Sequence, residues 1–254
     1  MAHETKEVGS AANAVIVAVD PRLGSLILAL RRCPTLAKAA LTLTFLTLML
    51  IALPHSALAL TASELANRLQ ESYDKTADLK ADFSQVSVIK AMHMQKDGKG
   101  VLIIKKPGLL RYTYAKPDRQ EIIVRDEGLI MYTPETGQVV KKALSKAVMD
   151  KTPSTFLAGL GRVTDSFDVK IPASGEKDKK GRYQLDLVPK GDRMGIERIT
   201  LALDPDNYNI LMFSFIDSSG NTNTINLNNI KINTGIKESA FSFQIPKGAT
   251  LIGE

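Results

Sequence analysis

The sequence predicts a mainly β domain, α+β in class, in which short strands form an antiparallel meander beside two helical segments. Three observations predict it. Apolar and polar residues alternate along many short runs, turn-forming residues recur about every 8–12 positions, and helical periodicity is confined to two stretches, near residues 61–75 and 150–160. A β-barrel and a β-sandwich both fit such a meander.

A leader precedes the domain. Residues 39–53 are apolar and uncharged, Arg31, Arg32 and Lys38 stand before them, and Pro54 ends the run. Ala57-Leu58-Ala59 then offers small residues at the two positions that a signal peptidase reads. The run is shorter than the roughly 17–25 residues of a membrane-spanning helix. The expectation is a leader and cleaved signal peptide over residues 1–59, cut after Ala59, and one domain over residues 60–254. Five of the 33 basic and three of the 27 acidic residues precede residue 60, which leaves 28 and 24, a net charge of +4. So small an excess, with no basic stretch interleaved with aromatics, gives no support for nucleic-acid binding. The single cysteine, Cys33, lies ahead of the apolar run rather than behind it. The chain should therefore not itself be lipidated, and the mature domain has no disulfide to form.

The first helix starts at Thr61 or Ser63, either of which can cap it, and Leu65, Leu69 and Tyr73 make one apolar stripe with Ala62 and Ala66 beside it. Beyond Asp78 the period changes to two. Phe83 to Ile89 is a loosely alternating strand, Asp97-Gly98 reads as a turn, and Val101 to Ile104 is the next strand. After Lys106-Pro107-Gly108 comes a strand with Leu110, Tyr112 and Tyr114 on one face and Arg111 on the other. Ile122 to Val124 and Leu129 to Tyr132 make a hairpin around Asp126-Glu127-Gly128, and Gln138-Val139-Val140 follows. Pro153 suits the first turn of a short helix in which Phe156, Leu157 and Leu160 cluster. Strands resume at Phe167 to Ile171, Tyr183 to Val188, Glu197 to Leu203 and Ile210 to Phe215, the last with Leu211, Phe213 and Phe215 on one face. In Asn221 to Asn233 the apolar residues switch parity between Leu227 and Ile230, which predicts a bulge.

Chemistry-bearing motifs are sparse. His93 is the one histidine after residue 59, and no Gly-x-Ser-x-Gly, His-Glu-x-x-His or phosphate-cradling glycine loop occurs. Paired-carboxylate catalysis stays open in principle, but no pair stands out, so an enzyme is not expected, nor a cofactor. Met92-His93-Met94 could offer soft metal ligands; the plainer reading is a loop whose methionines make adaptable apolar contacts.

Several strings resemble the outer-membrane lipoprotein carrier (LolA-like) family. They are Ala81-Asp82-Phe83-Ser84-Gln85, Gly98-Lys99-Gly100, Lys105 to Tyr114 (Lys-Lys-Pro-Gly-Leu-Leu-Arg-Tyr-Thr-Tyr), Pro117, Ile122 to Asp126, Tyr132-Thr133-Pro134, Gln138-Val139 and Phe241 to Gly248. The resemblance implies an incomplete, strongly curved antiparallel β-barrel with a helical lid. It implies that Leu65, Leu69, Phe156, Leu157 and Leu160 belong to the lid. Leu102, Ile104, Leu110, Tyr112, Tyr114, Ile130, Tyr132, Phe213 and Phe215 are then candidates for an apolar wall that holds acyl chains, where pattern alone reads them as closed core. The implied function is a monomeric carrier in the periplasm of a Gram-negative bacterium. It would ferry lipoproteins from an inner-membrane ABC-type release complex to an outer-membrane receptor. A binding protein for another lipid or amphiphile, a periplasmic hydrolase and a closed-core adaptor are the alternatives. Two departures from the family matter. Tyr112 stands where tryptophan is common, and Lys106 where some relatives carry an arginine thought to latch the lid. Lysine cannot make the same planar contact, which counts against a latch at Lys106; Arg111 could serve instead and is equally readable as a solvated strand residue.

Overall fold

The computed structural model describes residues 59–125, 128–143, 162–191 and 195–252. Helix α1 (Ala62–Asp74) leads into strands β1 (Asp78–Ile89), β2 (Met94–Lys105), β3 (Leu109–Lys116), β4 (Gln120–Arg125), β5 (Gly128–Thr133) and β6 (Gln138–Ala143). The short helix α2 (Val163–Ser166) precedes β7 (Phe167–Lys170), β8 (Tyr183–Pro189), β9 (Ile196–Leu203), β10 (Ile210–Asp217), β11 (Thr222–Ile232) and finally β12 (Thr250–Ile252).

All twelve strands join one sheet, ordered β12-β6-β5-β4-β3-β2-β1-β11-β10-β9-β8-β7. Two meanders, β1 to β6 and β7 to β11, are fused where β1 pairs with β11. Among the described residues the end strands β12 and β7 do not pair with each other. The sheet therefore curls without closing, the mainly antiparallel incomplete barrel that was expected. One strand departs from the antiparallel rule: β12 pairs parallel to β6, Leu251 opposite Val139. It does so because the chain crosses the outside of the sheet between β11 and β12, and a crossover delivers a parallel strand.

Helix α1 forms where the stripe predicted it. Thr61 is the cap: its hydroxyl accepts from Glu64 N–H at 3.2 Å while the Glu64 carboxylate accepts from Thr61 N–H at 2.8 Å. Leu65, Ala66, Leu69 and Tyr73 are its buried side. They form one core cluster with Leu79, Phe83, Leu102, Ile104, Leu110, Leu185, Leu187, Leu203 and Phe213. Strands from both meanders meet around the helix, which therefore lies inside the curl.

At Gly98 the structure departs from the expected turn. Asp97-Gly98 is not a turn, because β2 runs through it with Gly98 opposite Gln85. The turn lies earlier, in a 3-10 segment over Lys90–Met92 that ends at His93 in the left-handed region, φ 50°. Gly98 and Gly100 mark close approach instead. A Cβ on Gly100 would sit 2.0 Å from the Thr113 carbonyl oxygen, and one on Gly98 would sit 3.3 Å from the Tyr114 ring. The predicted bulge is present, where the β1–β11 register slips past Asn229, φ 52°. A second slip, between Ile210 and Met212, brings Ile210 into the core although its parity alone pointed outward.

Candidate functional site

Residues that face each other across a strand pair lie on the same side of a sheet, so the register assigns each residue a face. Leu79 faces Ile104, Ile104 faces Leu110, Leu110 faces Val124, and Val124 faces Leu129. This is the inner face, the one that α1 covers. Leu102, Ile104, Leu110, Tyr112 and Phe213 are buried there under Leu65 and Leu69, while Tyr114 and Phe215 are half-buried beside them. Phe83, not singled out from sequence, stands at the centre of an aromatic group, 5.3 Å from the Tyr112 ring and 4.9 Å from the Tyr114 ring, both edge-on. Alternation through Leu79, Ala81 and Phe83 was the signal that could have found it. Tyr73 is buried against the same group; burial first, and Tyr112 second, push its phenol above the ordinary value and keep it neutral.

Ile130 and Tyr132 do not belong to this wall. Ile130 faces Ile123, which faces Arg111, and Tyr132 faces Glu121. Both point to the outer side, where the Tyr132 ring lies 5.5 Å from that of Phe243. Leu129 and Met131 take the inner positions instead, opposite Val124 and Ile122. Strands β4 and β5 are apolar on both faces, so alternation could not tell which parity points inward. Phe156, Leu157 and Leu160 lie outside the described residues.

Of the two candidate latches, Lys106 touches the helix. Its ammonium donates to the Tyr73 carbonyl and lies 4.4 Å from the Tyr73 ring centre. The last carbonyls of a helix lack partners and carry the negative end of its dipole, so a cation there is favoured. Burial lowers the Lys106 pKa, and Asp74 partly opposes that shift. On the other side of α1, Arg68 donates to the Tyr208 hydroxyl at 2.8 Å, and Ser72 donates to Asn209 Oδ1 at 2.9 Å. Arg111 is no lid latch. It points outward, donating to the Ala240 carbonyl at 2.8 Å and pairing with Glu121 at 2.7 Å.

Those contacts belong to a strap, residues 233–249, that crosses the outer face from β11 to β12. The Asp78 carboxylate accepts from Thr234 N–H at 2.7 Å, the Thr234 hydroxyl at 2.9 Å, Gly235 N–H at 2.9 Å and Ile236 N–H at 3.3 Å. Burial by itself would raise the Asp78 pKa, but these hydrogen bonds outweigh it and hold the carboxyl below its ordinary value. Lys105 donates to the Ile236 carbonyl at 2.8 Å. Further along, a 3-10 turn over Glu238–Phe241 packs on β3 and β4 and buries Phe241 completely.

Helix α1 covers only part of the inner face. Beyond Tyr114 lies a cleft of about 790 Å³ whose walls include Gln85, Ser87, Gly98, Tyr114, Gln120 and Thr133. No group of three or more His, Cys, Asp or Glu among the described residues is placed to hold a metal ion.

Comparison with known proteins adds sequence relatives. The family described as outer membrane lipoprotein carrier protein LolA matches residues 74–244. An outer-membrane lipoprotein carrier protein of Dechloromonas aromatica is 27% identical over 188 residues, 74% of this chain and 87% of that one. One of Methylococcus capsulatus is 28% identical over 182 residues, covering 72% and 84%. Among solved structures, an uncharacterized conserved protein of Thermus thermophilus aligns with a TM-score of 0.47 at 14% identity, covering 75% of this chain and 98% of that one. A LolA superfamily protein of Nitrosomonas europaea aligns with a TM-score of 0.41 at 13% identity, covering 73% and 99%.

Proposed function

The chain belongs to the LolA family of outer membrane lipoprotein carrier proteins, and from that membership we propose that it shields the acyl chains of lipoproteins inside the curled sheet while they cross from the inner to the outer membrane. The observation that carries the reading is an amphipathic helix seated by apolar contacts on the inner face of an unclosed barrel. Each buried CH₂ of an acyl chain is worth about 0.8 kcal/mol. Several chains therefore hold a lipoprotein in its bilayer by many kcal/mol, and departure into water needs an apolar replacement. Apolar burial is non-directional, so a fatty tail can take the place of Leu65, Leu69 and Tyr73 against Leu102, Ile104, Leu110 and Phe213. Uptake then requires α1 to leave its seat, and its side-chain ties to the sheet and loops, through Lys106, Arg68 and Ser72, sit at its margins. The carrier performs no catalysis in this scheme. An ABC-type complex loads it, a receptor on the outer membrane unloads it, and it works as a monomer.

The leader read from the sequence, together with the family membership, supports export to the periplasm of a Gram-negative bacterium. Cleavage after Ala59 leaves the Thr61 cap of α1 intact. It also converts Leu60 N, 3.1 Å from Glu176 Oε1, into an ammonium beside a carboxylate. Mass spectrometry of the exported protein should give an amino terminus at Leu60; a terminus inside α1 refutes this site.

The carrier reading is tested with an anthroyloxy-stearate probe. The mature protein should bind it, and Tyr114→Glu and Phe215→Glu, both at half-buried positions, should each weaken binding at least about tenfold while circular dichroism stays unchanged, since a charge set among acyl chains is strongly disfavoured. Parent-like binding by both variants refutes the inner face as the container.

A further inference from the structure

Across five neighbouring strands, β11-β1-β2-β3-β4, the inner face changes from apolar to polar along a line that runs obliquely to the strand register. Moving away from α1, Ile225 gives way to Asn223 on β11, Phe83 to Gln85 and Ser87 on β1, and Ile122 to Gln120 on β4, and on β3 Tyr114 turns its hydroxyl to the Gln85 amide. The register sets these positions on three successive rungs, with Asn223 opposite Ser87, Gln85 opposite Ile225 and Gly98, and Tyr114 opposite Gly100 and Gln120, and side-chain hydrogen bonds link Tyr114, Gln85 and Ser87 across them into an oblique band. Gly98 leaves no gap, because the Tyr114 ring covers it. Within the band the Tyr114 hydroxyl donates to Gln85 Oε1 at 2.7 Å and Gln85 Nε2 donates to Ser87 Oγ at 3.0 Å. One member is unsatisfied. Asn223 Oδ1 is buried and accepts no hydrogen bond among the described residues. A buried acceptor without a donor costs about 1–3 kcal/mol, and such orphans in folded proteins call for an explanation.

We propose that this uncharged band binds the junction of an acylated peptide, where an amide N–H of the lipid-modified amino-terminal cysteine meets Asn223 Oδ1 and the hydroxyl and amide groups beside it meet ester and peptide carbonyls. The inference rests on the carrier reading and adds a subsite to it. Tails lie on the Phe83–Tyr112 side, and the peptide leaves through the cleft beyond Tyr114. The cleft wall carries Lys96 and Arg119 together with Asp97, Asp118 and Glu135. That mixture suits a peptide and offers no cationic cradle for a phosphate. A diacyl phospholipid, moreover, brings ester carbonyls to this level and neither an N–H nor an O–H donor for an orphaned acceptor.

The test compares three probes on the mature protein: a synthetic triacylated cysteinyl peptide, anthroyloxy-stearate and a short-chain diacyl phosphatidylglycerol. Asn223→Leu should weaken the lipopeptide by about threefold to tenfold, the worth of one neutral hydrogen bond, and leave the other two unchanged. Because the acceptor is unpaired, the variant should melt no lower than the parent. Gln120→Leu, at the edge of the band, should act in the same direction. Equal losses for lipopeptide and stearate, no loss for either, or an equal loss for the diacyl phosphatidylglycerol would each overturn the subsite. A parent protein that binds none of the three removes the carrier reading itself, whereas one that binds stearate and lipopeptide with variant-insensitive affinity removes only the band.

Discussion

Among the described residues each face of the sheet is covered in part by one main segment of chain, α1 inside and the strap outside, and the two covers are attached by different physics. Inside, α1 rests mainly on the apolar side chains of Leu65, Leu69 and Tyr73, with hydrogen bonds at Arg68, Gln70, Ser72 and the Tyr73 carbonyl around that stripe. Outside, the strap is held at intervals by directional bonds to charged groups, Asp78 at its start, Lys105 next and Arg111 beyond, before Phe241 plugs the surface. A directional, charge-assisted contact has no apolar substitute, whereas a greasy contact has many. The difference teaches which cover can be exchanged for a ligand and which is part of the frame.

The contrast can be broken most severely at Phe241. Phe241→Ala should lower the unfolding free energy by about 3–5 kcal/mol, read by urea denaturation, and leave acyl-probe binding intact once folded. Loss of probe binding without loss of stability would reverse the roles of the two covers. Leu69→Ala should cost less, about 2–3 kcal/mol, the low end for a buried leucine because a helix can settle into the space. It should also speed entry of the probe in stopped-flow mixing; slower entry would mean that α1 is no barrier.

Asp78→Asn sharpens the outer side of the comparison. It should cost about 2 kcal/mol, since it replaces a charged acceptor by a neutral one. The sign of the pH effect follows from the lowered carboxyl pKa. The stabilisation is fully present above the unfolded value, about 3.9, and is lost as pH falls through the folded one. Parent and Asp78→Asn should therefore converge in stability on acidification, and a gap that widens in acid refutes the assignment. The smallest effect is expected at the helix margin. Lys106→Met should cost about 0.3–1 kcal/mol and raise amide hydrogen exchange in α1 more than in β1. Uniform exchange would show that Lys106 does not tether the helix.

Much of this was legible in the residues. The Leu65-Leu69-Tyr73 stripe foretold α1, the spacing of turns foretold the meander, and the parity change after Leu227 foretold the bulge. In β3, Arg111 set between Leu110 and Tyr112 declared its own two faces. Legibility failed where the local signal was ambiguous. Gly98 looks the same whether it turns the chain or admits a ring, and Ile130 could face either way in a strand apolar on both sides. The strap's anchors join residues far apart in sequence, Asp78 with Thr234 and Arg111 with Ala240, so no local pattern announces them.

By itself, then, the sequence determined the kind of element at most positions, because periodicity and caps act within a few residues of one another. Only the tertiary structure decided which face of β4 and β5 looks inward, what Lys106 and Arg111 hold, and where the inner wall turns from apolar to polar. Those outcomes depend on strand register and on what lies across the sheet, which are set by packing between distant segments rather than by the preferences of any one of them.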